Sequence, residues 1–323
     1  MSTTWAQNED LFEQFGVKPP AKPGSVTFRT SHSQVKPGQT FHIAMDIAMQ
    51  PKWHTYWSNP GDSGEATSLS ITLPDGFKAG PLQFPTPKRF VTDYGDNFLL
   101  GGYGYENRVI HVMAVTVPEA ANAGSTFQIT GEGKWFICKD DECITDGAPI
   151  LIEVTVGENS TESADAKLIA DTLADQPKAA DWAFTAKEEG ETLKLDFVLT
   201  EGETIPEGKP EFYEDGSNEM VSLIKEQKAS IEGNTLTLTT SKNDNFDGVP
   251  ANLSGLVKFK TDTGYQAYRV FADTEERAAA LAGEARPPAS DEGSKASAPR
   301  KAAPLGKILK ILGLAFLGGM VLN

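Results

Sequence analysis

Cysteine is nearly absent from this chain: two residues in 323. That excludes a disulfide framework and is too few for a four-cysteine zinc site, so the two must be judged as a pair. Basic charge is also short. With 29 Lys+Arg against 45 Asp+Glu, the net charge is -16, and the chain lacks the positive surface that phosphate backbones require, which argues against a nucleic-acid partner. There is no Ser/His/Asp ordering, no HExxH and no Walker sequence, and the glycines lack the strand-to-helix context of a nucleotide loop. No basic segment followed by an apolar one opens the chain, so no signal peptide is visible. Long hydrophobic runs are missing too. The best, Ile311 to Leu322, has 12 uncharged apolar residues, whereas a span needs about 20. Behind Lys307 and Lys310, and containing Gly313, Gly318 and Gly319, it reads as the opening of a transmembrane helix, with a short amphipathic helix as the alternative.

What the chain has is turns. Gly 30 and Pro 20 fall largely between short apolar runs, the pattern of turn-rich β structure. The length suits two domains with connectors. After a polar lead-in over residues 1–24, strands are expected at Val26 to Thr30, Thr40 to Ala48, Ser68 to Leu73, Arg108 to Val117, Thr126 to Thr130, Lys134 to Cys138 and Ile150 to Val156. In the second of these, Phe41, Ile43, Met45 and Ile47 share one face. Residues 25–157 therefore predict an antiparallel sandwich. Residues 158–180 predict a linker with a helix starting near Ser163. Strand signals resume over 181–273, from Trp182 to Phe271, which predicts a second, immunoglobulin-like β domain. An Ala/Glu-rich helical turn or two from Thr274 opens a tether over 274–304, and 305–323 is the start of the membrane helix. The fold class expected is all-β: two immunoglobulin-like sandwiches joined by a short helical linker.

Chemistry concentrates in Lys134-Trp-Phe-Ile-Cys138-Lys-Asp-Asp-Glu-Cys143-Ile-Thr145, where an apolar strand leads into a four-residue polar loop between the cysteines. The loop is short enough for the sulfurs to meet. So small a ring adds little stability, which favours redox exchange over a structural bridge, and a metal pair completed by His or Met is the further alternative. Asp140, Asp141 and Glu142 would raise a thiol pKa, so the pair reads as a disulfide attacked by a partner's thiol. Two aromatic clusters accompany it. Trp53, Tyr56 and Trp57 beside a Pro/Gly turn form a partner surface or, for Trp57 in particular, plug the core. Asp93 to Tyr105, rich in Gly and aromatics, reads as a mobile loop over a site or an ordinary hairpin loop.

The runs KWHTYWSNPGDSGEATSLSITLPDGFKAGPLQFPTPKRF, YGYENRVI and WFICKDDEC, in that order, resemble the periplasmic N-terminal domain of the thiol:disulfide interchange protein DsbD family, in its ScsB-like branch, over about Ser25 to Gly157. The tail ILGLAFLGGMVLN resembles the opening of that family's first transmembrane helix. The resemblance implies a protein-disulfide reductase, of which this chain is part, at the periplasmic face of the bacterial inner membrane. Electrons pass from a thioredoxin-like domain of the same family protein to this module. From it they pass to a periplasmic disulfide isomerase, a cytochrome c maturation thioredoxin or an ScsC-like protein, the last linked to copper tolerance. It implies that Cys138 and Cys143 are the redox pair, with Cys143 the site of the mixed disulfide. Phe98, with Asp96 and Asn97 before it, falls in the family's cap loop, and His54 and Tyr56 on the strand beside the pair. No cofactor or metal is required, since two thiols carry the two electrons. The rival reading is a non-enzymatic copper-binding or docking module with a structural disulfide.

Overall fold

The computed structural model describes residues 22–96, 98–139, 142–216 and 220–282. Eleven strands build the first part: β1 (Gly24–Thr30), β2 (His32–Val35), β3 (Thr40–Met49), β4 (His54–Gly61), β5 (Ser68–Thr72), β6 (Lys78–Gln83), β7 (Lys88–Asp93), β8 (Leu99–Glu106), β9 (Arg108–Thr116), β10 (Thr126–Lys139) and β11 (Glu142–Val156). The short β12 (Thr161–Glu162) leads into α1 (Ala166–Ala174). The second part holds β13 (Lys178–Ala179), β14 (Ala183–Glu189), β15 (Thr192–Val198), β16 (Lys209–Glu214), β17 (Lys228–Glu232), β18 (Thr235–Ser241), β19 (Ser254–Lys260) and β20 (Tyr265–Phe271), followed by α2 (Thr274–Leu281).

Four sheets result, and the fold is all-β and immunoglobulin-like. The first part pairs a sheet of order β1-β3-β9-β6 with one of order β12-β2-β11-β10-β4-β8-β7, to which β5 adds on β10. The second part pairs β13-β20-β19-β16 with β14-β15-β18-β17. Alternation explains the first core. Phe41, Ile43, Met45 and Ile47 of β3 are fully buried and meet Ile129, Trp135 and Ile137 of β10 and Trp57 of β4. Each strand turns every second residue inward. The second core forms likewise around Phe184, Phe197, Phe212, Leu236 and Phe259.

The sequence expectations meet several differences. Thr126 to Thr130 and Lys134 to Cys138 are one continuous β10, whose partner β11 runs back to Glu142. Within 181–273, the strand signal at Met220 to Leu223 gives only a bridge from Val221 to Lys242. The Asp93 to Tyr105 run is a tight turn followed by β8. The expected lead-in up to residue 21, the tether from 283 and the membrane helix at 305–323 lie outside the described residues. Among those described, no helix is long and apolar enough to cross a membrane.

All described residues belong to one compact unit that runs to Arg286. Its two parts are joined by polar and aromatic contacts. Asn59 donates to the Glu214 carbonyl at 2.9 Å and Ser58 to Asp215 at 3.0 Å. Arg89 pairs with Glu211, and the rings of Tyr103 and Tyr213 lie 4.9 Å apart. The contacts fall on β4, β7 and β8, the strands on one side of the cysteine pair in the sheet.

Candidate active site

Strand parity places the site on the face of the large sheet turned away from the core. On β10, Trp135 and Ile137 point inward, so Phe136 and Cys138 point outward. On β4, Thr55 and Trp57 take the inner side, leaving His54 and Tyr56 outward. Pairing then fixes the neighbours. Cys138 is opposite Cys143 on β11 on one side and opposite His54 on β4 on the other. His54 in turn is opposite Glu106 on β8. A single row across four strands therefore reads Cys143, Cys138, His54, Glu106, and Lys88 closes it with a 2.8 Å ion pair to Glu106.

The two cysteines are joined as a disulfide, with their Cα atoms 4.2 Å apart. Their surroundings differ sharply. Cys138 is 2% exposed, enclosed between its neighbours, whereas Cys143, at the start of β11, is exposed. An incoming thiolate therefore has access at Cys143, and the sulfur it would expel is the buried one.

His54 of β4 is paired with Cys138, and Tyr56 lies two residues further along the same strand. The His54 Nε2 lies 3.2 Å from the Tyr56 hydroxyl. Burial holds the His54 pKa below its ordinary value, with the Glu106 charge opposing. Burial also pushes the Tyr56 phenol up to about 12; the Tyr94 phenol adds to this, and a hydrogen bond with Ser63 opposes it. At neutral pH both side chains are thus uncharged.

Four residues that sequence reasoning did not select complete the face: Phe90, Phe136, Glu106 and Lys88. The Phe90 ring lies 4.6 Å from His54 and 6.1 Å from Tyr56, and Phe136 lies 5.9 Å from Tyr56. Phe90 reaches His54 because β8 is bare beneath it. A Cβ on Gly102 would sit 2.6 Å from the Phe90 ring, and one on Gly104 would sit 2.0 Å from the Thr55 carbonyl oxygen. The signal was present in Gly101-Gly-Tyr-Gly-Tyr105, where the glycines clear a strand for a ring to lie across it.

Of the expected cap residues, Asp96 and Phe98 lie in the turn between β7 and β8. Asp96 adopts a left-handed backbone conformation, φ 52°. The Phe98 N–H donates to the Gly95 carbonyl at 2.9 Å, and its exposed ring lies 6.0 Å from Tyr94. Asn97, like Asp140 and Asp141, lies outside the described residues. On the opposite face of the sheet, Lys139 places its ammonium 5.2 Å over the Trp53 ring. Among the described residues, no group of three or more His, Cys, Asp or Glu side chains is gathered to hold a metal ion.

Residues 23–150 match the family model described as thiol:disulfide interchange protein DsbD, N-terminal. Among solved structures, the N-terminal periplasmic domain of ScsB from Proteus mirabilis aligns with 79% of this chain and 95% of its own, at 17% identity and a TM-score of 0.53. At that identity the likeness is one of fold. The sporulation control protein Spo0M from Bacillus subtilis covers 80% of this chain and 94% of its own, at 8% identity and a TM-score of 0.23, too low to bear on the argument. No curated protein matches the chain.

Proposed function

We propose, from the match of residues 23–150 to the DsbD N-terminal family and the disulfide between Cys138 and Cys143, that the chain carries a thiol–disulfide exchange module and works as a periplasmic electron relay. A thioredoxin-like domain of the same family protein reduces it. It then reduces a periplasmic disulfide isomerase, a cytochrome c maturation thioredoxin or an ScsC-like protein.

The observation that carries this reading is the unequal access to the two sulfurs. In the reducing half, the donor's thiolate attacks the Cys143 Sγ, the Cys138–Cys143 bond breaks, and its electron pair leaves on Cys138. A second donor thiol then attacks the mixed disulfide and frees Cys143. In the delivering half, the Cys143 thiolate attacks the target's disulfide, and Cys138 closes on Cys143 to expel the target's second thiolate. Each cycle moves two electrons. The cap assignment belongs to the same proposal: Phe98, with Asp96 and Asn97, covers the pair until the right partner docks.

Single-cysteine variants test it. Cys138→Ser keeps the exposed thiol and is expected to accumulate a mixed disulfide with a thioredoxin-like partner, seen as a reducible higher-mass band. Cys143→Ser is expected to accumulate little. Equal trapping by the two variants would overturn the assignment of Cys143 as the exchanging sulfur.

A further inference from the structure

We propose that His54, held in place by Tyr56 and Phe90, is the proton partner of Cys138, taking the thiol proton when Cys138 closes the disulfide and returning it when the disulfide opens. This deepens the relay reading and rests on it.

The need for such a group follows from burial. Opening the disulfide puts a negative charge on a residue that is 2% exposed, and a desolvated thiolate is costly. Closing the disulfide demands the reverse: the Cys138 thiol must lose a proton before its sulfur can attack. Water has little access there. The row across the sheet supplies the alternative. Directly opposed residues on one face of an antiparallel pair have Cβ atoms about 4.5–5.5 Å apart, and Cys138 has only two such neighbours, Cys143 and His54.

The rest of the row sets a carboxylate charge opposite the imidazole and leads out to solvent. Glu106, opposite His54, is exposed, and its carboxylate binds Lys88 at 2.8 Å. A thiol beside an imidazole pairs a nucleophile with a base, and the Glu106 charge favours the protonated ring. Tyr56 fixes the ring from the side through its hydroxyl, and Phe90 packs on its face at 4.6 Å. Tyr56 stays protonated at neutral pH and so does not compete as a base. Among the described residues, the charged and titratable groups that face His54 are Glu106 from β8, Lys88 from β7, Tyr56 from its own strand and the cysteines from β10 and β11. Glu142 lies one position beyond Cys143, and Lys139 is turned to the opposite face over Trp53.

The proton balance is complete. In closure, Cys138–SH gives its proton to neutral His54, the sulfur attacks the Cys143 Sγ of the mixed disulfide, and the target leaves as a thiolate that is protonated by water. The imidazolium passes its proton outward on the Glu106 side. In opening, the sequence runs backwards, and the developing Cys138 thiolate draws a proton through His54.

The test is a thiolate titration that needs no partner protein. In Cys143→Ser, Cys138 is the sole thiol, and its ionisation is followed by ultraviolet thiolate absorbance against pH, with and without His54→Gln. The expected result is a Cys138 titration that moves upward by about one pH unit or more when His54 is replaced. An unchanged titration would overturn the proposal. A second measurement covers a variant that fails to fold: NMR titration of the His54 ring in the unmodified chain, oxidised and reduced. Its midpoint is expected to rise on reduction, and equal midpoints would contradict the proposal. A disulfide too stable to exchange would sink the relay and leave both titrations readable.

Discussion

Cys138 and Cys143 have the same side chain and directly opposed places in one ladder, yet their surroundings give them different chemistry. One is sealed under its neighbours and the other opens β11 in solvent. The pair itself was legible in the sequence, because a strand, a four-residue loop and a second cysteine permit few other arrangements. The division of labour came only from the family resemblance, not from the residues themselves, since exposure depends on β4 pairing with β10, and β4 reads as a Pro/Gly-broken aromatic stretch. The residue-level prediction concerns the cap. If Phe98 covers the sulfurs, Phe98→Ala is expected to speed reduction of the disulfide by dithiothreitol severalfold, followed by thiol release. A rate equal to that of the unmodified chain would remove Phe98 from the cap. Phe90 provides the comparison: its ring contacts His54, so Phe90→Ala is expected to act on the His54 titration.

Among the elements, β8 governs the site. Both its faces are covered: Leu223 sits where a Gly101 Cβ would project, at 2.2 Å, and Phe90 lies over Gly102 and Gly104. Only a strand without side chains accepts neighbours so close. Gly104→Ala is the direct test, because its Cβ would meet the Thr55 carbonyl oxygen at 2.0 Å and push β8 away from β4. The expected cost is about 2–3 kcal/mol in urea unfolding, together with loss of the register between Glu106 and His54. A change below about 0.5 kcal/mol would show that the strands accommodate the methyl group. Alternation was easy to read where apolar residues mark it, as in β3, β15 and β18. It was hidden in β8, where period two is carried by Gly and Tyr, and in β11, whose first turns are polar. Packing supplies the pairing there, and no local propensity announces it.

Across the whole molecule, the second pair of sheets braces the strands that carry the site. Lys258 of β19 marks the junction: 8% exposed, it donates to the Pro87 carbonyl at 2.7 Å, with the Tyr265 ring 4.6 Å away. Burial lowers its pKa to about 8 from 10.5, with Glu211 opposing. Between these values the unfolded chain binds the proton and the folded chain does not, so stability rises with pH from about 8 towards 10. Above pH 10 the tyrosines buried at Tyr56, Tyr103 and Tyr105, whose pKa values are raised, reverse the trend. Lys258→Met is expected to flatten the rise in urea midpoint between pH 7 and 9.5, and an unaltered slope would assign it to other groups. The sequence indicated two β regions but not this junction, since a lysine in an alternating strand reads as solvent-facing until a carbonyl from another part of the chain is brought to it. The central claim, that the pair carries electrons between proteins, is tested most directly by the equilibrium redox state of Cys138 and Cys143 against a glutathione series, read as the fraction of protein resisting thiol alkylation. The account predicts a midpoint of about -180 to -270 mV, in the range of exchange proteins, and a midpoint well below about -300 mV, that of a structural bridge, would contradict it.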